Sequence, residues 1–223
     1  MTAKLFIGAI VKLLLGVVLI GLLIFLPAGT LEFFNGWLFM GILFVPMLFA
    51  GIVMMFKSPD LLKSRLDAKE KQRDQGLVIK LSGLMFLAGF TVAGLGVRFN
   101  WYVLPNYAVI IGAVVFLLAY LLYAEVLREN AYLSRTIKVQ EGQRVIDTGL
   151  YGIVRHPMYF ATLLLFLSMP IVLGSVYALL IFFAYPFIIA KRIKGEEEFL
   201  ERELDGYTEY KQKVKYRLIP FIW

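Results

Sequence analysis

Apolar residues fall into six nearly unbroken runs, at 5–26, 37–56, 77–97, 107–127, 158–173 and 176–190, with charged residues crowded between them. The first four are about 20 residues long, the length of helix that crosses a hydrocarbon core about 30 Å thick. The last two are about 15 residues each and are separated only by Gly174 and Ser175, which predicts a tight helical hairpin. Pro170 and Pro186 fall within that hairpin and predict kinks of the kind membrane helices tolerate. The first run follows Lys4, is longer than the apolar core of a secretion signal, and has no A-x-A-like site after it, so it reads as a retained transmembrane helix. The pattern predicts an all-α integral membrane protein of about six hydrophobic helices forming a single membrane domain over 1–223, with four N-terminal transmembrane helices in 1–127.

Basic residues assign the sides. The 57–80 stretch holds seven Lys and Arg, 128–155 holds five and the tail from 191 holds eight, whereas the opposite face has only Arg98. By the positive-inside rule both termini and the 128–155 loop are cytoplasmic, in a multi-pass protein of the cell membrane. This asymmetry also accounts for the net charge of +7 without invoking nucleic acid. The 57–76 connector mixes both signs of charge and reads as amphipathic.

Composition then removes chemistry. The chain of 223 residues has no cysteine and a single histidine, which excludes thiol nucleophiles, disulfides, Cys-ligated metals and multi-His metal sites. What remains is concentrated in the second loop and the tail. The loop is long for a membrane hairpin but keeps apolar residues at Val139, Val145, Ile146, Leu150 and Val154, which predicts order, short β-like pieces and turns at Glu141-Gly142 and Thr148-Gly149. It ends in Arg155-His156-Pro157, with Pro157 suited to a first helical position. His156 fits two readings, a headgroup anchor or part of a ligand site. In the second, the helix N-terminus attracts an anionic group while Tyr151 and Tyr159 offer faces to an aromatic ring or a cation.

The tail carries Glu196, Glu197 and Glu198 after Gly195, a pattern that predicts a helix start whose acids stabilise the dipole, with Gly206 near its end. Arg192, four residues before Glu196, shares its face if the helix is continuous, and otherwise reads as a snorkelling anchor. Glu125, near the inner end of the fourth run, is a candidate by its depth. The closing YRLIPFIW reads as an interfacial anchor through Tyr216 and Trp223.

The order ENAYLSR, VQEGQRVIDTGLYGIVRHPMY, an apolar hairpin, then EEEFL and LDGYTEYKQKVKYRLIPFIW resembles the isoprenylcysteine carboxyl methyltransferase family, a group of integral-membrane enzymes that includes phospholipid N-methyltransferases. The resemblance covers 129–223 and implies a methyltransferase core in 128–223 that uses S-adenosylmethionine. It implies cofactor contacts from Gln140, from Gln143, Arg144, Val145 and Ile146, from Tyr151, from His156, Pro157, Met158 and Tyr159, and from Glu196. Arg192 is implied to be the catalytic and substrate-binding residue that orients the acceptor. Relatives commonly have His at Gln143, Pro at Leu150 and Gly at Ala161, so the resemblance does not carry over the eukaryotic substrate.

Methyl transfer from a sulfonium needs alignment and desolvation rather than a metal. The expected partners are membrane lipids and a lipophilic acceptor entering from the bilayer, with a carboxylate favoured because guanidinium binds it bidentately, and a phospholipid amine as the other candidate. Two further classes are a nicotinamide-dependent membrane reductase of related architecture and a non-catalytic membrane protein. Orientation is tested by single cysteines and an impermeant thiol reagent in intact cells: a cysteine at Asn35 should label, and cysteines at Gln143 and Gln212 should label only after permeabilisation. Labelling at Gln143 but not Asn35 inverts the topology.

Overall fold

The computed structural model describes residues 3–66, 73–134, 136–137 and 139–223. Its helices are α1 (Ala3–Ala28), α2 (Phe34–Lys57), α3 (Pro59–Leu66), α4 (Arg73–Arg98), α5 (Asn106–Glu129), α6 (Pro157–Val172), α7 (Val176–Phe182), α8 (Tyr185–Glu203) and α9 (Tyr207–Lys213), with a 3₁₀ turn at Gly149–Gly152. Five spans are long and apolar enough to cross a membrane, Leu5–Ala28, Phe34–Lys57, Gly76–Arg98, Asn106–Glu129 and Val176–Glu203, and Pro157–Val172 is a shorter apolar helix. The protein is therefore an all-helical, multi-pass membrane protein. Leu15, Ile110 and Leu121 point outward as lipid-facing side chains do, because nothing in the bilayer penalises their exposure.

Hydrophobic burial gives little drive between helices in lipid, so close approach of small residues matters more. Gly94 brings α4 onto α1: a Cβ there would meet the Ile24 carbonyl oxygen at 2.3 Å. Gly112 does the same for α5 on α6, where a Cβ would lie 2.7 Å from Ile171 Cγ2. Between these seams sits an aromatic cluster in which Phe86 makes edge contacts with Phe166 and Phe182, and Phe39 with Phe116. Against the far side from the long loop, the α4–α5 connection pairs with the hairpin turn, Leu104 N–H donating to the Gly174 carbonyl at 2.8 Å.

The hairpin forms, but its second arm runs further than its apolar run. It breaks at Phe183-Ala184, because Pro186 in the first turn of α8 has no N–H to give back to α7. α8 then continues through Gly195, so no helix starts there. Glu196, Glu197 and Glu198 lie inside a helix rather than at its positive end, and the dipole reading of this trio does not apply. Gly206 (φ +82°) begins α9. Gly142 (φ +68°) and Gly149 (φ +56°) make the two expected turns, whereas the described loop residues form no strand. Lys4's side chain, residues 67–72 of the amphipathic connector, Arg135 and Lys138 lie outside the described features.

Gly94→Ala should therefore destabilise the protein by about 1–3 kcal/mol, the usual cost of overpacking a tight seam. Gly83→Ala, where a Cβ meets nothing within 4 Å, should be close to neutral. Thermal unfolding in detergent compares them, and equal midpoints would show that α1 and α4 are not held at this distance.

Candidate functional site

The site grows from the Arg155-His156 pair. Both backbone amides are taken by the tail, Arg155 N–H donating to the Tyr216 carbonyl at 2.9 Å and His156 N–H to that of Arg217 at 2.8 Å. Their side chains converge on Glu197, which is only 2% exposed. Arg155 Nε donates to Glu197 Oε1 at 2.7 Å, Arg217 Nε donates to Oε2 at 2.8 Å, and His156 Nε2 lies 3.2 Å from Oε1. An ionised carboxylate only accepts, so this contact places the imidazole proton on Nε2. Arg155 Nη1 also donates to the carbonyls of Val214 and Lys215, at 2.6 and 2.9 Å. One buried carboxylate thus ties α8, the start of α6 and the tail together.

The start of α6 offers less to an anion than its sequence implies. Pro157 has no N–H, and the amides of Tyr159 and Phe160 turn back to the His156 carbonyl at 3.0 and 3.2 Å.

Above this knot the long loop folds over a cavity. Gln143, Arg144, Val145 and Ile146 line it from the loop and Tyr151 from the 3₁₀ turn. His156, Met158 and Tyr159 line it from α6, and Glu196 from α8. Pro157 and Gln140 stand off its wall. Pro157 is packed in the helix start. Gln140 shapes the loop: its Nε2 donates to the Tyr132 carbonyl at 2.5 Å, and its amide donates to Gln143 Oε1 at 2.9 Å. The 3₁₀ turn is pinned to α5, since Leu150 N–H donates to Glu129 Oε2 at 2.9 Å and a Cβ on Gly149 would strike the Glu129 carboxylate.

Arg192 stands one helical turn before Glu196, and the Tyr159 phenol joins them. Arg192 Nε donates to Tyr159 Oη at 2.9 Å, and the phenol donates to Glu196 Oε2. Glu125 is not among the cavity's lining residues; it forms a partly exposed pair with Arg128 at 2.5 Å.

Several wall residues escaped the sequence reading, above all Tyr207 and Tyr210 of α9. Tyr210 is anchored, donating to the Tyr151 carbonyl at 2.7 Å. Tyr207 is different: it is buried on the cavity wall and its hydroxyl has no hydrogen-bond partner. Burial, reinforced by the Glu197 and Glu196 charges, pushes its phenol well above the ordinary value, so Tyr207 is a neutral donor. Burial likewise raises Tyr151. Glu197 was also missed, although a signal existed. Ile189, Ile193, Glu197, Leu200 and Leu204 recur at helical spacing, which puts Glu197 on the inward stripe.

Residues 107–205 match the family described as phospholipid methyltransferase. The matched stretch contains the α6 start, Arg192, Glu196 and Glu197, while Tyr207, Tyr210, Arg217 and α1–α4 lie outside it. The chain is also 28% identical over 91 residues to the delta(14)-sterol reductase of Mus musculus, a match covering 40% of this chain and 22% of that protein.

Removing the partner of two buried or half-buried guanidinium groups should cost about 3–5 kcal/mol. Glu197→Gln and Glu197→Ala should lower the unfolding midpoint strongly and expose residues 214–223 to protease, whereas the exposed Glu198→Ala should do neither. Equal behaviour of the Glu197 and Glu198 variants would show that the knot does not hold the tail.

Proposed function

We propose that this chain is an S-adenosylmethionine-dependent methyltransferase whose acceptor is a lipophilic molecule drawn from the bilayer. The observation that carries the reading is the orphaned Tyr207 hydroxyl on a cavity that also presents a carboxylate and aromatic faces, most of it built from the stretch that matches the phospholipid methyltransferase family. The donor set suits that cofactor. Tyr151 and Tyr207 offer faces for a base or a cation. Glu196 offers negative charge to an ammonium or sulfonium, and Arg144 on the rim offers positive charge to a carboxylate. When bound, S-adenosylmethionine supplies a methyl group activated by a sulfonium for in-line displacement.

The chain's own residues align and dry the site. The loop over 139–146 and α9 exclude water. Tyr159 is held by Arg192 and Glu196 together, which fixes the wall between the cofactor side and the acceptor side. Arg192 is the residue we assign to the acceptor's polar group. A carboxylate acceptor suits its planar fork and needs no base. An amine acceptor would have to give up a proton, and Glu196 is the nearest carboxylate on the wall to take it. On this reading 128–223 is the methyltransferase core of a single membrane domain, with 1–127 as its supporting helices and both termini cytoplasmic, in the cell membrane.

The similarity to a sterol reductase favours a second reading, a nicotinamide-dependent membrane reductase. Calorimetry on the purified protein separates the two. S-adenosylhomocysteine should bind and NADPH should not; the reverse result installs the reductase. Tyr207→Phe should leave ligand-free stability unchanged or raised, since the hydroxyl lacks a partner, and should weaken S-adenosylhomocysteine by roughly tenfold, about 1.4 kcal/mol. Arg192→Lys keeps the charge but loses the fork, so it should preserve that affinity and lower methyl transfer. Full transfer by Arg192→Lys would remove the bidentate contact.

A further inference from the structure

A second concavity lies away from the cavity, between α1, α2 and α3. Its walls are apolar, with Leu13, Leu48, Gly51, Ile52, Met55 and Leu62 among them, yet two cations also line it, Lys12 and Arg65. Lys12 is seven residues inside the span that starts at Leu5, about 10 Å along the helix at 1.5 Å per residue. A cation at such depth is costly unless something polar meets it. Lys12 meets the end of α3, donating to the Leu66 carbonyl at 2.6 Å. Arg65 turns inward. One nitrogen donates to Tyr123 Oη, the guanidinium carbon lies 5.5 Å from the centre of that ring, and Nη1 is 3.8 Å from Met158 Sδ. These partners are a phenol and a thioether, both neutral, and among the described residues no carboxylate is paired with Arg65 or Lys12.

The two concavities share a boundary. Met158 lines the cavity and is touched by Arg65 from α3, and the next residue, Tyr159, is touched by Arg192 from α8. Arg65 therefore belongs at once to the wall of the apolar groove and to the edge of the cavity. An occupant of the groove needs a hydrocarbon part to match its walls and an anionic group to match its two cations.

We propose that the groove between α1, α2 and α3 is a phospholipid-binding site, with an acyl chain along Leu48, Ile52 and Met55 and the phosphate between Lys12 and Arg65. The polar end of the lipid then lies beside Met158, at the margin of the cavity. Resting on the methyltransferase reading above, this is the site from which the acceptor presents its polar group. The site lies in 3–66, outside the stretch matched by the methyltransferase family.

The test uses the full chain in nanodiscs containing a phosphatidylethanolamine with a photoreactive diazirine in its acyl chain, with crosslinked peptides mapped by mass spectrometry. Labelling should concentrate on the groove-facing residues of α1 and α2. Gly51→Leu should reduce it at least fivefold, because a Cβ at Gly51 meets nothing within 4 Å and the side chain can fill the groove without displacing a helix. Arg65→Gln should reduce it similarly, and Arg65→Lys should restore part of it. A diacylglycerol carrying the same diazirine should label these residues no more than the rest of the lipid-facing surface. Undiminished labelling in Gly51→Leu, or equal groove labelling by the diacylglycerol, would overturn the proposal and leave ordinary boundary lipid. S-adenosylhomocysteine affinity, measured on the same samples, should be unchanged in Gly51→Leu. If the wild type fails to bind it, the methyltransferase reading falls, and the crosslinking still decides whether the groove takes a phospholipid.

Discussion

The buried Glu197 carboxylate is the constraint on which the loop-and-tail half of this protein rests. Both oxygens are occupied, Oε1 by the adjacent Arg155 and His156 and Oε2 by Arg217, so the partners come from two separate stretches of chain, the start of α6 and the tail. A charge in such a place is tolerable only when it is fully met. The requirement acts in both directions: the carboxylate needs the tail, and the tail, which is short of regular structure beyond α9, needs the carboxylate. The start of α6, α8 and the tail meet at it beside the cavity. The start of α6 is aimed by it, α8 is rotated by it so that Glu196 faces the cavity, and α9 is brought over the opening where Tyr207 and Tyr210 sit.

The membrane half solves a different problem. Its helices cannot rely on water to press them together, and the close seams at Gly94 and Gly112 take that part. The short α3 is the exception. It follows α2 and packs against it instead of crossing, and in doing so it carries Arg65 to the aromatic ring of Tyr123 and against the first turn of α6. A link between the N-terminal helices and the candidate site thus runs through one side chain.

The membrane architecture was legible because its signal is long and one-dimensional: runs of about 20 apolar residues have few other meanings. The loop turns at Gly142 and Gly149 were legible for a similar local reason, both glycines taking positive φ. The misreading of Gly195 shows where local rules stop. A glycine followed by three acids has the grammar of a helix start, but packing against α6 and the buried ion cluster carry α8 straight through it. Glu197 was hidden by its neighbours, since in a run of three acids only the inward stripe distinguishes the buried one. Tyr207 had no local signal at all, because its importance lies in a partner it does not have. Arg65 likewise looked like one charge among many in a mixed connector, and only the fold-back of α3 sets it apart.

The phenol of Tyr159 has one hydrogen to give and it gives it to Glu196, while its oxygen receives Arg192. The two sides of the candidate site are therefore joined through a rotatable O–H. If Glu196 turned toward a cationic ligand, that hydrogen would be released and, with the oxygen still held by Arg192, would swing to a new acceptor. A change on one side would reach the other by a rotation of one bond, with no helix displaced. The energetic effects of substituting Arg192 and Glu196 would then fail to add, and the size of that failure would measure how strongly this one atom couples arrival on one side to readiness on the other.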